Sequence, residues 1–400
     1  MTRFFYADPG LLDNVGHYAT YCRSITGELR RRGVTPIVLA YKGINPALSK
    51  ELDAHPFFEK FTNWFSDGDP ICGQLNAFHI SAEATHKDLT RLSDINSTDL
   101  VYFSSARPAQ LYSTILWLLS LPPERRPHVV IESANDPGLD RTADGKLAVR
   151  DPRIDPTAML YRFVGCRLSN SISDCLHMVT FEKVMSEVYT TLLKHPVGTL
   201  PTIICAAGPV HQRGQMLPLT VSVLGAQRAN KGYHLIPDVI HGLLQSSPTV
   251  RFLVHNGAPA QMAEQQTIIR ELAAKEPRII VDERPAGPDI WKQLLDDSDL
   301  IICPYHPETF YASPSAVALE AVANGIPFVG PANTTLGRLV SEYGSGTVFE
   351  KFEAGSILEG ISKALANFDH LAKQATESAE KFALTQGPAR AVDEILRYGP

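Results

Sequence analysis

The sequence predicts an α/β protein built as two domains, each around its own parallel sheet. Three observations predict it. Short runs of β-branched and aromatic residues alternate with amphipathic helical patterns along the whole chain, the pattern of repeated βαβ units. The 400 residues exceed the roughly 250–300 at which a single core stops growing. The strand-like runs also fall into two consecutive sets, separated by a stretch from Ala206 to Pro218 that is rich in Gly, Pro and Gln and has no periodicity, as a hinge would be.

In the first set, strands are expected at Arg3–Ala7, Thr35–Ala40, Leu100–Phe103 and His128–Ile131, with a fifth near Thr202–Cys205. In the second they are expected at Thr220–Leu224, Arg251–His255, Arg278–Val281, Leu300–Cys303 and Phe328–Val329. This divides the chain into residues 1–212 and 213–385, with residues 386–400 carrying a short amphipathic helix over Ala389–Tyr398. The segment Pro137–Pro156, dense in Asp, Arg, Gly and Pro, reads as a long surface loop inside the first domain, either a binding loop or a plain excursion.

Composition narrows the function classes. Apolar residues make up 44% and charged residues 20%, an ordinary globular balance. A net charge of −6 argues against a nucleic-acid binder, which would present a basic face. The cluster Arg30-Arg31-Arg32 reads as the solvated end of an amphipathic helix. Six scattered cysteines without a C-x-x-C spacing read as thiols in a reducing compartment. The first residues lack the apolar run of a signal peptide, and the most apolar stretch, Leu111–Leu121, is short of the roughly 20 residues of a membrane span. The expectation is a cytoplasmic protein, compatible with peripheral attachment at the inner face of a membrane.

The passage from Val221 to Ile236 carries the most chemistry. A β-run stops at Gly225, Arg228 and Lys231 stand in the following turn, and a helix begins after Gly232. At the carboxyl end of a strand, two cations sit over the crevice where open α/β sheets bind ligands. A diphosphate is their natural occupant, since its charge grows as it leaves; taken alone, the same residues read as a loop with two solvated cations. Further on, Ser298-Asp299-Leu300-Ile301-Ile302-Cys303-Pro304-Tyr305 gives a strand, and Ser313-Pro314-Ser315-Ala316 opens a helix running to Asn324. Ser313 is expected as its N-cap and Pro314 at its first position, and its free amides form a ready phosphate site. Glu320 lies on the helix face turned to the crevice, where a carboxylate can accept both hydroxyls of a ribose.

Together these three segments resemble the donor domain of the retaining GT-B glycosyltransferases grouped as family 4, over residues 220–345; the first half resembles the family more loosely. The resemblance implies two Rossmann-like domains facing across a cleft, with the terminal helix returning to the first. It implies that Arg228 and Lys231 hold the donor diphosphate, that Glu320 binds the ribose, and that Gly225, Tyr305, Ser313, Ser315 and Ala316 complete the donor site. Family members carry a second glutamate eight positions before the ribose-binding one; here that position is Ala312, and Glu308 stands in the preceding loop as a substitute or as a solvated carboxylate.

In the first half, the turn from Asp8 to His17 follows the first strand, where the family places its glycine-rich loop, so Gly16 and His17 are candidates for the crevice. Ser104, Ser105 and Arg107 follow one strand; Glu132, Asn135 and Asp136 follow another, and Glu132 is the best carboxylate for acceptor orientation or base chemistry. No G-x-G-x-x-G fingerprint marks a dinucleotide site. Asp67-Gly-Asp69 and Asp297-Ser-Asp299 are read as turn and cap residues, so no metal and no cofactor is expected. The reading is transfer from a nucleoside-diphosphate sugar to a glycan, lipid-linked or small-molecule acceptor, which the resemblance places in cell-surface glycan or polysaccharide synthesis. Its rivals are a sugar-nucleotide epimerase or hydrolase and a catalytically silent partner-binding subunit. Base, sugar, acceptor, anomeric outcome and oligomeric state stay open at this level.

Overall fold

The computed structural model describes residues 3–14, 17–62, 70–133, 136–142, 147–168, 170–208, 210, 218–257 and 262–400. Gly16, Asp67, Asp69, Asn135 and the expected boundary at residues 212 and 213 lie outside them. The chain forms two compact units, Met1–Ile203 with Gly387–Pro400, and Ile204–Gln386.

Unit 1 is built on a parallel seven-stranded sheet. Its strands are β1 (Phe4–Asp8), β2 (Pro36–Tyr41), β3 (Ala54–Phe58), β4 (Leu100–Phe103), β5 (His128–Glu132), β8 (Leu176–Thr180) and β9 (Val197–Thr199), in the order β3-β2-β1-β4-β5-β8-β9. Between β5 and β8, β6 (Leu139–Arg141) and β7 (Leu147–Val149) pair as a small antiparallel hairpin in the segment expected to be loop. Unit 2 carries β10 (Thr220–Val223), β11 (Arg251–His255), β12 (Ile279–Asp282), β13 (Leu300–Ile302), β14 (Phe328–Pro331) and β15 (Gly346–Phe349), parallel and ordered β12-β11-β10-β13-β14-β15.

The central strands β1, β4, β10 and β13 are buried along their whole length, because helices cover both faces of a parallel sheet. In unit 2 the period of two sorts them cleanly: Val221, Phe252, Val254, Leu300 and Ile302 pack into one core, while Leu224, Leu253, Ile301 and Cys303 pack into the other. In both sheets the first strand lies between the second and the fourth, so the connections leave β1 and β4, and β10 and β13, toward opposite ends of the sheet. Such a switch point opens a crevice at the strands' carboxyl ends.

Two expectations about strands are corrected. Thr202–Cys205 is not a strand: Ile203 belongs to the core of unit 1 and Ile204 to a core of unit 2, so this run is apolar because the chain crosses between cores there. The strands β3, β8, β9 and β15 were not expected. Helix Pro388–Arg397 is part of unit 1, where Ala391, Val392 and Ile395 enter its core.

Candidate functional site

In unit 2 the chain leaves β10 through Leu224 into Gly225, whose φ of +94° is open to glycine at no steric cost. The turn that follows folds back as a single 3-10 turn, Ala229–Lys231. A Cβ placed on Gly225 would lie 3.6 Å from Lys231 Nζ and 3.2 Å from Val317 Cγ2. Val317 is the second residue of helix Ala316–Ala323, so an ammonium and the start of a helix meet over a residue without a side chain. Amides with no intrahelical partner, the positive end of the helix dipole and a cation together make an anion site.

The turn is fixed from several sides. Gly232 has φ +68°, and a Cβ there would fall 1.8 Å from the Pro304 carbonyl oxygen. The His306 amide donates to the Asn230 carbonyl at 2.9 Å. Buried Gln227 donates through Nε2 to the carbonyls of Gly225 and His255, each at 2.5 Å, which ties the turn to the end of β11. Lys231 Nζ stands 5.1 Å from the centre of the Tyr305 ring, within cation–π range. Burial holds its ammonium below the ordinary lysine range. Such a cation gains more from an incoming anion than a solvated one would.

Glu320 projects from helix Ala316–Ala323, and its Oε2 accepts the Trp291 indole N–H at 2.9 Å. Burial pushes its carboxyl up to about 7, against the opposing pull of the Trp291 hydrogen bond and the Lys231 charge. Trp291 was not legible as a site residue: it comes from helix Pro288–Asp296, and only the fold brings it to Glu320.

The remaining expected donor residues separate. Arg228 is exposed, and its charge reaches Lys231. Ser315, not Ser313, caps the helix: its Oγ accepts the Ala318 amide at 3.2 Å. Ser313 and Pro314 stay in the preceding loop, where the Ser313 carbonyl accepts Thr335 Oγ1 at 2.7 Å. Ala316 is exposed and Ala312 buried, while Glu308 is exposed on the short helix Pro307–Phe310.

In unit 1 the residues at the switch point converge on Ser105. This residue follows β4 with φ +52°, uncommon for a side chain with a Cβ. Its amide donates to Glu132 Oε2 at 2.7 Å, and its Oγ lies 3.2 Å from His17 Nε2. Glu132 ends β5 and is fully buried; loss of water pushes its carboxyl up to about 7. His17 is exposed as a residue, but its ring lies beside Tyr18 and Tyr21, with centroids 4.3 and 5.1 Å away. Desolvation holds the imidazole below its ordinary value. At the end of β1, buried Asp8 accepts the Gly10 amide at 2.8 Å, and burial lifts its pKa well above the ordinary range. An imidazole on the Ser105 hydroxyl and a carboxyl near pKa 7 on the Ser105 amide set two groups able to take up a proton at one residue.

Among the described residues no group of three or more His, Cys, Asp or Glu is arranged to hold a metal ion. Asp299 accepts the Thr220 amide at 2.8 Å, and Asp297 ends helix Pro288–Asp296, as turn and cap residues do. No described helix is long and apolar enough to cross a membrane.

No protein-family model matches the chain, and no curated protein matches it. Among solved structures, it is similar to sucrose-phosphate synthase from Thermosynechococcus elongatus, with a TM-score of 0.65 at 14% identity over 100% of this chain and 98% of that one. Anabaena HepE in complex with UDP has a TM-score of 0.61 at 15% identity, covering 99% of each chain. A protein assigned as UDP-N-acetylglucosamine 2-epimerase from Listeria monocytogenes has a TM-score of 0.57 at 11% identity, covering 99% of this chain and 95% of its own. With two parallel-sheet units and these likenesses over the whole chain, the fold is GT-B.

Proposed function

We propose that this protein is a glycosyltransferase, in which unit 2 holds a nucleoside-diphosphate sugar and unit 1 binds the acceptor. The observation that carries the reading is the meeting of Lys231 Nζ with the start of helix Ala316–Ala323 over Gly225. Both stabilise a diphosphate more as it takes up charge in the transition state than in the ground state, which is the condition for raising kcat. Arg228 adds a second cation, and Glu320 accepts the ribose hydroxyls. In unit 1, His17 Nε2 takes the acceptor's proton by way of the Ser105 hydroxyl, and Glu132 holds Ser105 in place through its amide. Retention, a place in cell-surface glycan or polysaccharide synthesis, and peripheral attachment to the inner face of a membrane belong to the same reading. It needs neither a metal nor another cofactor.

The likeness to HepE in complex with UDP supports a uridine donor as the first to test. The test is a panel of nucleotide sugars with mixed acceptors, with products resolved by NMR. Acceptor-dependent release of nucleotide with a new glycosidic bond is expected. Release or isomerisation without a new bond would transfer support to the epimerase reading. That alternative is favoured by the likeness to the Listeria protein and by carboxyls near pKa 7 in both units, Glu132 and Glu320.

A further inference from the structure

Trp291 reaches Glu320 from a separate element. It stands in the first turn of helix Pro288–Asp296, where its amide donates to the Gly287 carbonyl at 2.8 Å. Its ring packs, partly buried, against the core that holds Leu294, Leu295 and Ala321. The His255 ring meets it edge-on, at 6.1 Å and 70°, and is itself fixed by donating from Nε2 to the Arg284 carbonyl at 3.0 Å. The indole is thus held by its surroundings, and its one N–H goes to Glu320 Oε2 at 2.9 Å. A glutamate side chain has several rotatable bonds, and ordering them at the moment of binding costs affinity. A hydrogen bond from a fixed indole orders the carboxylate beforehand. It takes one lone pair of Oε2 and leaves the other, with both on Oε1, for a pair of neighbouring hydroxyls. The same bond favours the ionised carboxyl against the effect of burial, and only that form can accept with both oxygens.

We infer that Trp291 is a positioning residue for the donor's ribose: its indole N–H holds the Glu320 carboxylate in the orientation that accepts both ribose hydroxyls, and so sets a preference for ribonucleotides. The inference deepens the donor reading above and rests on it. Other titratable groups act on Glu320 through charge: Lys231 in the turn after β10, Tyr305 after β13 and Cys205 in the segment entering unit 2. A comparison of two nucleotides that differ only in the ribose hydroxyls cancels what those groups contribute to both.

Calorimetry on the full chain tests it, with UDP against 2′,3′-dideoxy-UDP and GDP against 2′,3′-dideoxy-GDP, from pH 5.5 to 8.5. In the wild type at least one pair is expected to favour the ribonucleotide, by a ratio that rises with pH as Glu320 ionises at about 7. Trp291→Phe keeps an aromatic ring and removes the N–H. It is expected to lower that ratio about threefold or more at pH 7, to move its rise to higher pH, and to leave the affinity of the dideoxy nucleotide unchanged. A loss of packing alone would not move the pH profile of the ratio. Glu320→Gln is expected to lower the ratio and flatten its pH dependence. Should Trp291→Phe not fold, NMR of the wild type reads the Trp291 indole N–H, told apart from the other two by Trp64→Phe and Trp117→Phe. That resonance is expected to move as pH passes through about 7, and further with the ribonucleotide than with its dideoxy form. An unchanged or higher ratio in Trp291→Phe, or an indole resonance indifferent to pH, would overturn the assignment. Equal affinity within each pair sinks the ribose role alone and leaves the donor reading standing. Absence of binding by both UDP and GDP sinks both.

Discussion

At Glu132 a carboxyl is held out of water by β5 and by the cap it provides to the Ser105 amide. Its pKa stands at about 7, against 4.5 in an exposed chain. Between those values the folded state keeps a proton that the unfolded state releases, so this group's contribution to stability is present below pH 4.5 and is lost as pH rises through 7. The slope is at most about 1.4 kcal/mol per pH unit. Glu132→Gln keeps an acceptor for the Ser105 amide and removes the titration. Denaturant melts from pH 4.5 to 7.5 should therefore show the wild type losing stability relative to Glu132→Gln as pH rises. Parallel curves would show that the carboxyl does not titrate in this window. Glu320 shifts in the same direction, so the wild type retains some slope in either case.

Elements explain why the site was readable where it was. The Arg-x-x-Lys-Gly turn could be recognised because its chemistry is local: a glycine ends a strand, two cations follow, and a second glycine turns into the helix. Gly232 is dictated by φ +68° and by the Pro304 carbonyl against its missing Cβ. Gly232→Ala should move the turn away from β13 and reduce nucleoside-diphosphate affinity by tenfold or more, with a loss of about 1 kcal/mol or more in stability; calorimetry and melting check both, and unaltered affinity would separate the turn from the site. The helix start was misplaced by two residues because Ser313-Pro314 carries the usual N-terminal signal, while Thr335 holds that serine's carbonyl in the loop and leaves the cap to Ser315. Missed strands have physical causes too. β3 lies at a sheet edge and carries Pro56, tolerated only where no ladder bond is needed, and β9 has three residues. Trp291, Ser105 and Gln227 act through contacts far along the chain, which no local pattern encodes.

The whole molecule is two units with separate cores, and the last helix is numbered after unit 2 yet packs into unit 1. Val392 is fully buried there, so Val392→Asp places an unpaired charge in that core. Calorimetric melts should show the transition of unit 1 shifted down by several degrees or lost, and that of unit 2, followed by its stabilisation with UDP, retained. Loss of both together would mean that the two cores unfold as one. Lys231 and the start of helix Ala316–Ala323 are the groups through which unit 2 is proposed to take a nucleoside diphosphate. The most direct measurement is calorimetric titration of the full chain with UDP, GDP and UMP, repeated on Lys231→Ala. At least one diphosphate is expected to bind more tightly than UMP and to lose at least tenfold in affinity in the variant, while UMP changes little. Absence of binding by both diphosphates, or equal diphosphate affinity in wild type and Lys231→Ala, would contradict it.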